Sequence, residues 1–478
     1  MLLVYKKIKD YAGYLSQDQH VPQQKFVLAM LPALFVGHSL MLSHLAKAQQ
    51  NPLLTKENNK REYDTREHYF SRNVNSARLD MDAILQRYYK LIEPVLHRNR
   101  GRGVTVVTDG TDYRKEWARP DRPRGMQGAS HVRDGSRSTR AKADLTMGYA
   151  GITVEAALPD GTQVPMAHWL FSRKLPDPLT KKRWRSDEQA TEQLLERVAP
   201  LVGSDAWWTF DRDYASNIYF NAFDKLKLRW LVRIQNNGQA AKRRVRAENG
   251  IVWSVEELAA TLNLPYTRHT RGRDGEPLTI RMGLKKVFLK EESSSGVERW
   301  QETARTLLVA ELNGSPTKFI VLVSEWDVDK QEIAEQIRKE YRRRWTVEET
   351  HRFVKNDWGF KVEHFRVLKL VAIQRVVFFA MLACGFMALL NVDKPEAVQE
   401  LVGCAWAQGE AKDPRYRLTQ VIGLLVVKLI TKTWVRFHRR RALEPPPETP
   451  DRLRDRLRNA QRAVTRAQKA LRDLGLTE

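Results

Sequence analysis

The sequence predicts an α/β fold, on three observations. Short runs rich in β-branched and aromatic residues read as buried strands, chiefly Val104-Thr105-Val106-Val107-Thr108 and Trp207-Trp208-Thr209-Phe210. Apolar residues at helical spacing recur around them, in 26–46, 79–96 and 187–201. Val376 to Leu390 is a run of 15 apolar residues, short of the ~20 that cross a bilayer, and reads as a buried helix.

Residues 1 to about 98 read as a helical N-terminal region. Its stretch Leu40–Ala46 resembles the entry helix of a small DNA-binding bundle, which makes 1–98 the candidate DNA-binding region. Residues 99–235 read as strand 104–109, strands near 147–157 and 164–171, helix 187–201, strand 207–211, helix near 216–226 and strand 229–234. Three strands, helix, strand, helix, strand is the order of a ribonuclease H-like core, so this is its first part. A mostly β insertion follows at 236–323, with strands at 278–289, 305–312 and 318–323 and a hairpin signal at Asn313-Gly314. Residues 324–392 supply the second part of the core, and 393–444 a helical C-terminal region. The last segment, 445–478, is a proline-rich linker and a short amphipathic helix. In it Leu453, Leu457, Ala460, Val464, Ala467, Leu471 and Leu474 keep heptad spacing, which suits a dimer seam and a helix docked on its own protomer equally. The Arg- and Gly-rich stretch 113–142 reads as a loop that orders on a partner.

Lys plus Arg number 81 against 57 Asp plus Glu, a net charge of +24, which calls for a polyanionic partner, most simply DNA. A hydrophobic content of 42% with 13 Trp sets the chain apart from a basic disordered tail. Two cysteines, Cys384 and Cys404, are too few for a disulfide framework or a zinc cluster, and suit a reducing cytoplasm. Neither a secretory signal nor a GxxxxGK[ST] loop is evident, so no ATP is implied. Phe26 to Ala46 is broken by Pro32, His38, Ser39, Ser43 and His44, and no membrane span is expected.

Tyr341, Arg344, Glu348 and Lys355 stand at offsets 0, 3, 7 and 14, within a wedge of roughly 60° on a helix. Val347, Thr350 and Val354 fall on the opposite face, and Asp329 with Glu332 reads as a capping box. One carboxylate in a cationic stripe suits a site that holds a divalent metal and a phosphate together. A solvated face laced with salt bridges has the same spacing. Two more carboxylates end the apolar strands: Asp109 in Asp109-Gly110-Thr111, and Asp211 in Asp211-Arg212-Asp213-Tyr214. Each also suits the start of a turn.

Together the three segments resemble the DDE transposases of bacterial insertion sequences, in the branch marked by Tyr-x2-Arg-x3-Glu-x6-Lys. The resemblance implies that Asp109, Asp211 and Glu348 are catalytic and bind two Mg²⁺ or Mn²⁺ ions. Asp213 stands where that family often has Gly, which leaves the second ligand between Asp211 and Asp213, and Asp112 stands beside Asp109. Tyr341, Arg344, Lys355 and Arg212 are the implied DNA contacts, with Lys242, Arg243 and Arg244 of the insertion as candidate backbone contacts. The implied activity is cleavage at transposon ends, through hairpins in part of the family, then strand transfer into target DNA. The implied partners are double-stranded inverted-repeat ends and target DNA, held by a homodimer on paired ends in a bacterial cytoplasm, at the nucleoid. A base unstacked at a hairpin needs an aromatic receiver, for which Phe319, Trp326, Trp300 and Trp253 are candidates. A nuclease of the same fold that cuts without joining, and a non-catalytic DNA-binding protein, are the alternative readings.

Overall fold

The computed structural model describes residues 2–48, 56–114, 126–133, 144–176, 186–235, 242–271, 275–291, 299–315, 318–327, 329–355, 360, 367–404, 415, 417–427 and scattered positions from 458 to 472. The fold is mixed α/β around one large sheet. Its centre is β1 (Thr105–Arg114), antiparallel to β3 (Leu145–Ala157) and parallel to β5 (Trp207–Phe210). β5 is parallel to β6 (Arg229–Ile234). The far edge of β3 carries both β2 (Ser130–Arg133) and β4 (Gln163–Phe171).

Parallel neighbours need crossover connections. The link from β1 to β5 includes α6 (Asp187–Val198), capped by Ser186, and that from β5 to β6 is α7 (Asn217–Lys225), capped by Ser216. Each serine hydroxyl accepts a backbone N–H of the first turn, a bond the helix itself cannot supply.

The sheet then runs on through β12 (Phe319–Val323), antiparallel to β6, to β11 (Trp300–Leu312) and β10 (Pro277–Lys290). These three are the strands expected in the insertion, and Asn313 and Gly314 make the turn with φ of 48° and 71°. Three further strands and a helix were not expected: β7 (Arg244–Ala247), β8 (Val252–Ser254), β9 (Tyr266–Arg271) and α8 (Val255–Thr261). Their runs are short and interleaved with arginine, and β7 and β9 form because β10 offers a strand to pair with.

Beyond the sheet the expected single signature helix is two. α9 (Gln331–Arg342) ends at a turn over Arg343 and Arg344, and α10 (Trp345–Lys355) begins after it. At the junction Arg343 and Arg344 donate their N–H groups three residues back, to Glu340 and Tyr341. Arg343 also sends its guanidinium to Gly103 O and, at 2.9 Å, to Thr105 Oγ1, which holds the turn against the start of β1. The expected capping box is absent: α9 is N-capped by Lys330, and Asp329 instead accepts from the Tyr266 hydroxyl at 2.9 Å.

The other helices share the main core with the sheet: α1 (Leu2–Leu15), α2 (Val21–Gly37), α3 (Leu42–Ala48), α4 (Lys56–Val74), α5 (Met81–Arg98), α11 (Leu370–Asp393) and α12 (Pro395–Cys404). Among the described residues α11 is the one single helix long and apolar enough to cross a membrane, and the bent pair α2 and α3 passes the same test together. α11 is packed inside the fold. Its Phe379 meets Phe26 at 5.6 Å, and its Arg375 donates to the carbonyls of Val74, Ser76 and Leu79 at 2.8 Å each. In the stretch read as an entry helix, Leu42, Leu45 and Ala46 are likewise buried.

The stretch read as the loop 113–142 contains the end of β1 and all of β2, while 115–125 and 134–143 lie outside the described residues. The linker and most of the heptad positions also lie outside them. Of the seam positions only Val464 is described, and it is buried in the main core of this same chain.

Candidate active site

Sheet register makes the site. Thr108 of β1 stands beside Phe210 of the parallel β5, so the next residues, Asp109 within β1 and Asp211 just past the end of β5, lie side by side; β1 itself runs on to Arg114, past the expected end at 109. The turn between α9 and α10 brings Arg344 over both. Its Nη1 lies 3.7 Å from Asp109 Oδ2, its Nε 3.9 Å from Asp211 Oδ1, and its Nη2 donates to Glu348 Oε1 at 2.6 Å. The side chain of Arg344 is only 4% exposed. Val347, Thr350 and Val354 face inward and fix α10 on the fold, as their spacing predicts.

Burial pushes the Asp109 carboxyl up to about 7; Arg344 opposes the shift, and Asp211, Glu348 and Asp213 add to it. On β3, opposite Asp109, stands Thr153, whose Oγ1 lies 3.0 Å from His351 Nε2. The other ring nitrogen of His351 is 4.0 Å from Asp109 Oδ2. Burial drives His351 well below the usual imidazole range, helped by the cation of Lys355, so its ring is neutral. Lys355 Nζ donates to Thr111 Oγ1 at 2.6 Å and to Asp112 O at 2.7 Å, which ties the end of α10 to β1.

A polar layer lies behind α10. Glu155 of β3 is buried with its Oε2 at 2.9 Å from Thr350 Oγ1, and Arg415 donates to Gln163 Oε1 at 2.7 Å and Thr350 Oγ1 at 2.6 Å. Burial raises the Glu155 carboxyl to about 7, against the pull of Arg415 and Thr350. Sequence reasoning missed this residue. The signal is one acid inside the apolar run Gly151–Ala157, because a fully buried Glu is rare without a partner.

The other nominated residues divide. Asp213 is 81% exposed and 4.0 Å from Arg212, while Asp211 is the one beside Arg344. Asp112 accepts the backbone N–H of Arg133 at 3.0 Å and so serves β2. Arg243 donates to Asn217 Oδ1 at 2.7 Å and Ala215 O at 2.8 Å, a tie to the loop after Asp211; Lys242 and Arg244 are exposed. Tyr341 is buried in a second, smaller core between α9 and the strands β6, β10, β11 and β12, its ring edge-on to Phe319 at 5.1 Å. Trp326 packs on that core too, Trp253 on the main one, and Trp300 lies 5.8 Å from the Arg246 guanidinium. None of the four stacking candidates is exposed. Trp345, which sequence reasoning passed over, is 55% exposed and lies 5.2 Å from the Arg344 guanidinium.

Three carboxylates are hard oxygen donors of the kind Mg²⁺ and Mn²⁺ take. In this arrangement their shared cation is Arg344, and among the described residues no group of three or more His, Cys, Asp and Glu stands ready to hold a metal ion. The donors fit a divalent ion in chemistry, and the Arg344 guanidinium stands between them where such an ion would lie. A cleft of about 470 Å³ opens beside Asp109 and is lined also by Thr111, Asp112, Arg173, Asp187 and Asp213.

The sheet and α10 thus gather Asp109, Asp211 and Glu348 around one guanidinium. Residues 179–385 match the family model of the transposase DDE domain, a span that takes in Asp211, Tyr341, Arg344, Glu348 and Lys355, with Asp109 ahead of it. The match covers less than half of the chain. No curated protein matches it. Among solved structures, that of the piggyBac transposase synaptic complex with hairpin DNA is similar at 10% identity and a TM-score of 0.38, covering 96% of this chain and 82% of that one.

Proposed function

We propose that the chain is a DNA transposase that cleaves at transposon ends and transfers the freed strand to target DNA. One observation carries the reading: carboxylates 109, 211 and 348, distant in sequence, all lie within 3.9 Å of one guanidinium. The strand order β4-β3-β1-β5-β6, with only β3 antiparallel to the rest, is that of a ribonuclease H-like core and supports it. So does the DDE match.

Asp109, Asp211 and Glu348 would hold divalent metal, two ions by the resemblance. Such ions activate water for in-line attack and stabilise the leaving oxygen. Arg344, turned from the carboxylates, holds the phosphate beside the scissile bond. Lys355 keeps α10 in register with β1, and Trp345 offers a stacking face to an unpaired base. The chain acts without ATP and as a homodimer on paired ends.

The test is a strand-transfer assay with duplexes carrying the terminal repeats of the element, a target plasmid and Mg²⁺. Ends with a free 3′-OH that become joined to the plasmid are expected. Ends that are cut and never joined point to the nuclease, and binding without cutting to the non-catalytic reading.

A further inference from the structure

A second cleft, of about 790 Å³, opens along α9 away from the carboxylates. Gly103, on its rim, is six positions before Asp109, roughly 20 Å along an extended chain. Its charges do not balance. Glu335 is paired with Arg268 at 2.5 Å, and Glu340 with Arg343 at 3.2 Å. Arg338, Lys339 and Arg342 remain, against Glu332 alone.

Arg338 is the informative one. It is 9% exposed, and its Nε has no hydrogen-bond partner. The charges that act on it are Arg342, Arg268 and Glu335, so two cations face it and one acid. A guanidinium held in this way costs stability until an anion reaches it. Arg338 and Arg342 are also an i,i+4 pair of like charge, which weakens a helix by itself. They stand ~6 Å apart along the axis, with Lys339 beside them. A row of cations at that spacing suits successive phosphates better than one small anion.

We propose that this cleft binds the phosphodiester backbone of duplex DNA, at a place separate from the carboxylate site. It rests on the reading of DNA as substrate. Contacts there position DNA without reading its sequence.

The experiment is fluorescence anisotropy on the full chain, with a duplex of arbitrary sequence a few helical turns long, titrated over a range of salt. Each lost phosphate contact lowers the slope of log K against log salt by about 0.9. Lys339→Gln with Arg342→Gln, both exposed and so not needed for folding, is expected to lower the slope by about two and weaken binding ~60-fold near 0.1 M salt. Lys6→Gln with Lys227→Gln removes the same charge elsewhere on the surface and is expected to change little. A slope unchanged in the cleft variant, or lowered equally in the control, overturns the proposal. The carboxylate site is read separately. If the cleft variant binds as wild type while Asp109→Ala loses cleavage, only the cleft assignment fails; a wild-type chain that binds no duplex removes both.

Discussion

Arg344 Nη2 donates to Glu348 Oε1 at 2.6 Å, from the turn that ends α9 to the first turn of α10. The same guanidinium is the counter-charge of Asp109 and Asp211. An exposed i,i+4 pair contributes ~0.3–0.5 kcal/mol; removing a buried partner that serves three acids costs more. Arg344→Ala should therefore lower stability by ~1–3 kcal/mol at pH 8, and millimolar Mg²⁺ should restore much of it. Thermal melts with and without the ion give the answer, and no change in either condition would mean that the carboxylates do not share this cation.

Lys355 makes two hydrogen bonds to β1. Charged donors of this kind contribute ~1.5–3 kcal/mol each. Lys355→Ala should lower the melting temperature as well as DNA affinity. Lys355→Arg should recover affinity more than stability, because a planar guanidinium does not fit two acceptors arranged around an ammonium. Melts and binding isotherms on both variants separate the two effects.

Glu155 sets a pH dependence. Its folded pKa, about 7, lies above the ordinary carboxyl value, so the folded chain keeps a proton that the unfolded chain has released. Stability contributed by this group is fully present below about 4.5 and falls as pH rises to about 7, by ~1.4 kcal/mol for each pH unit crossed. Glu155→Gln should flatten that fall. It should melt higher than wild type at pH 8 and much like it at pH 4.5, as denaturation at a series of pH values would reveal.

Trp345 is exposed beside Arg344, so truncation should leave stability within about 0.5 kcal/mol. Stacking on a base contributes ~1–3 kcal/mol. Trp345→Ala should weaken binding to end DNA that holds an unpaired base, and reduce the 2-aminopurine signal of unstacking. Equal signals in wild type and variant would return the aromatic to a surface role.

Much of the site was legible because its signals are local. Apolar runs that stop at Asp109 and Asp211 mark the two acids, although only β5 ends there and β1 runs on to Arg114, and one Glu at fixed spacing from Arg344 and Lys355 marks a face. What was hidden depends on distant parts of the chain. Arg343 and Arg344 are ordinary helix formers, and the helix breaks there because Gly103 and Thr105 take the Arg343 guanidinium. The Asp329 cap was lost to Tyr266, a strand residue of the insertion. Glu155 depends on Thr350 and Arg415, and exposure of Trp345 over the other aromatics follows from packing that periodicity does not encode.

The central claim is that Asp109, Asp211 and Glu348 act as one site on DNA. Asp109→Asn, Asp211→Asn and Glu348→Gln keep side-chain size and remove the charge. The most direct measurement is Mg²⁺-dependent cleavage of labelled end DNA by these variants and by Asp213→Asn, with affinity for the same DNA measured in parallel. The three variants should each lose cleavage by at least ~100-fold, about 2.7 kcal/mol of barrier, at nearly unchanged affinity, with Asp213→Asn still active. Cleavage retained in any of the three, or lost in Asp213→Asn with Asp211→Asn active, would contradict it.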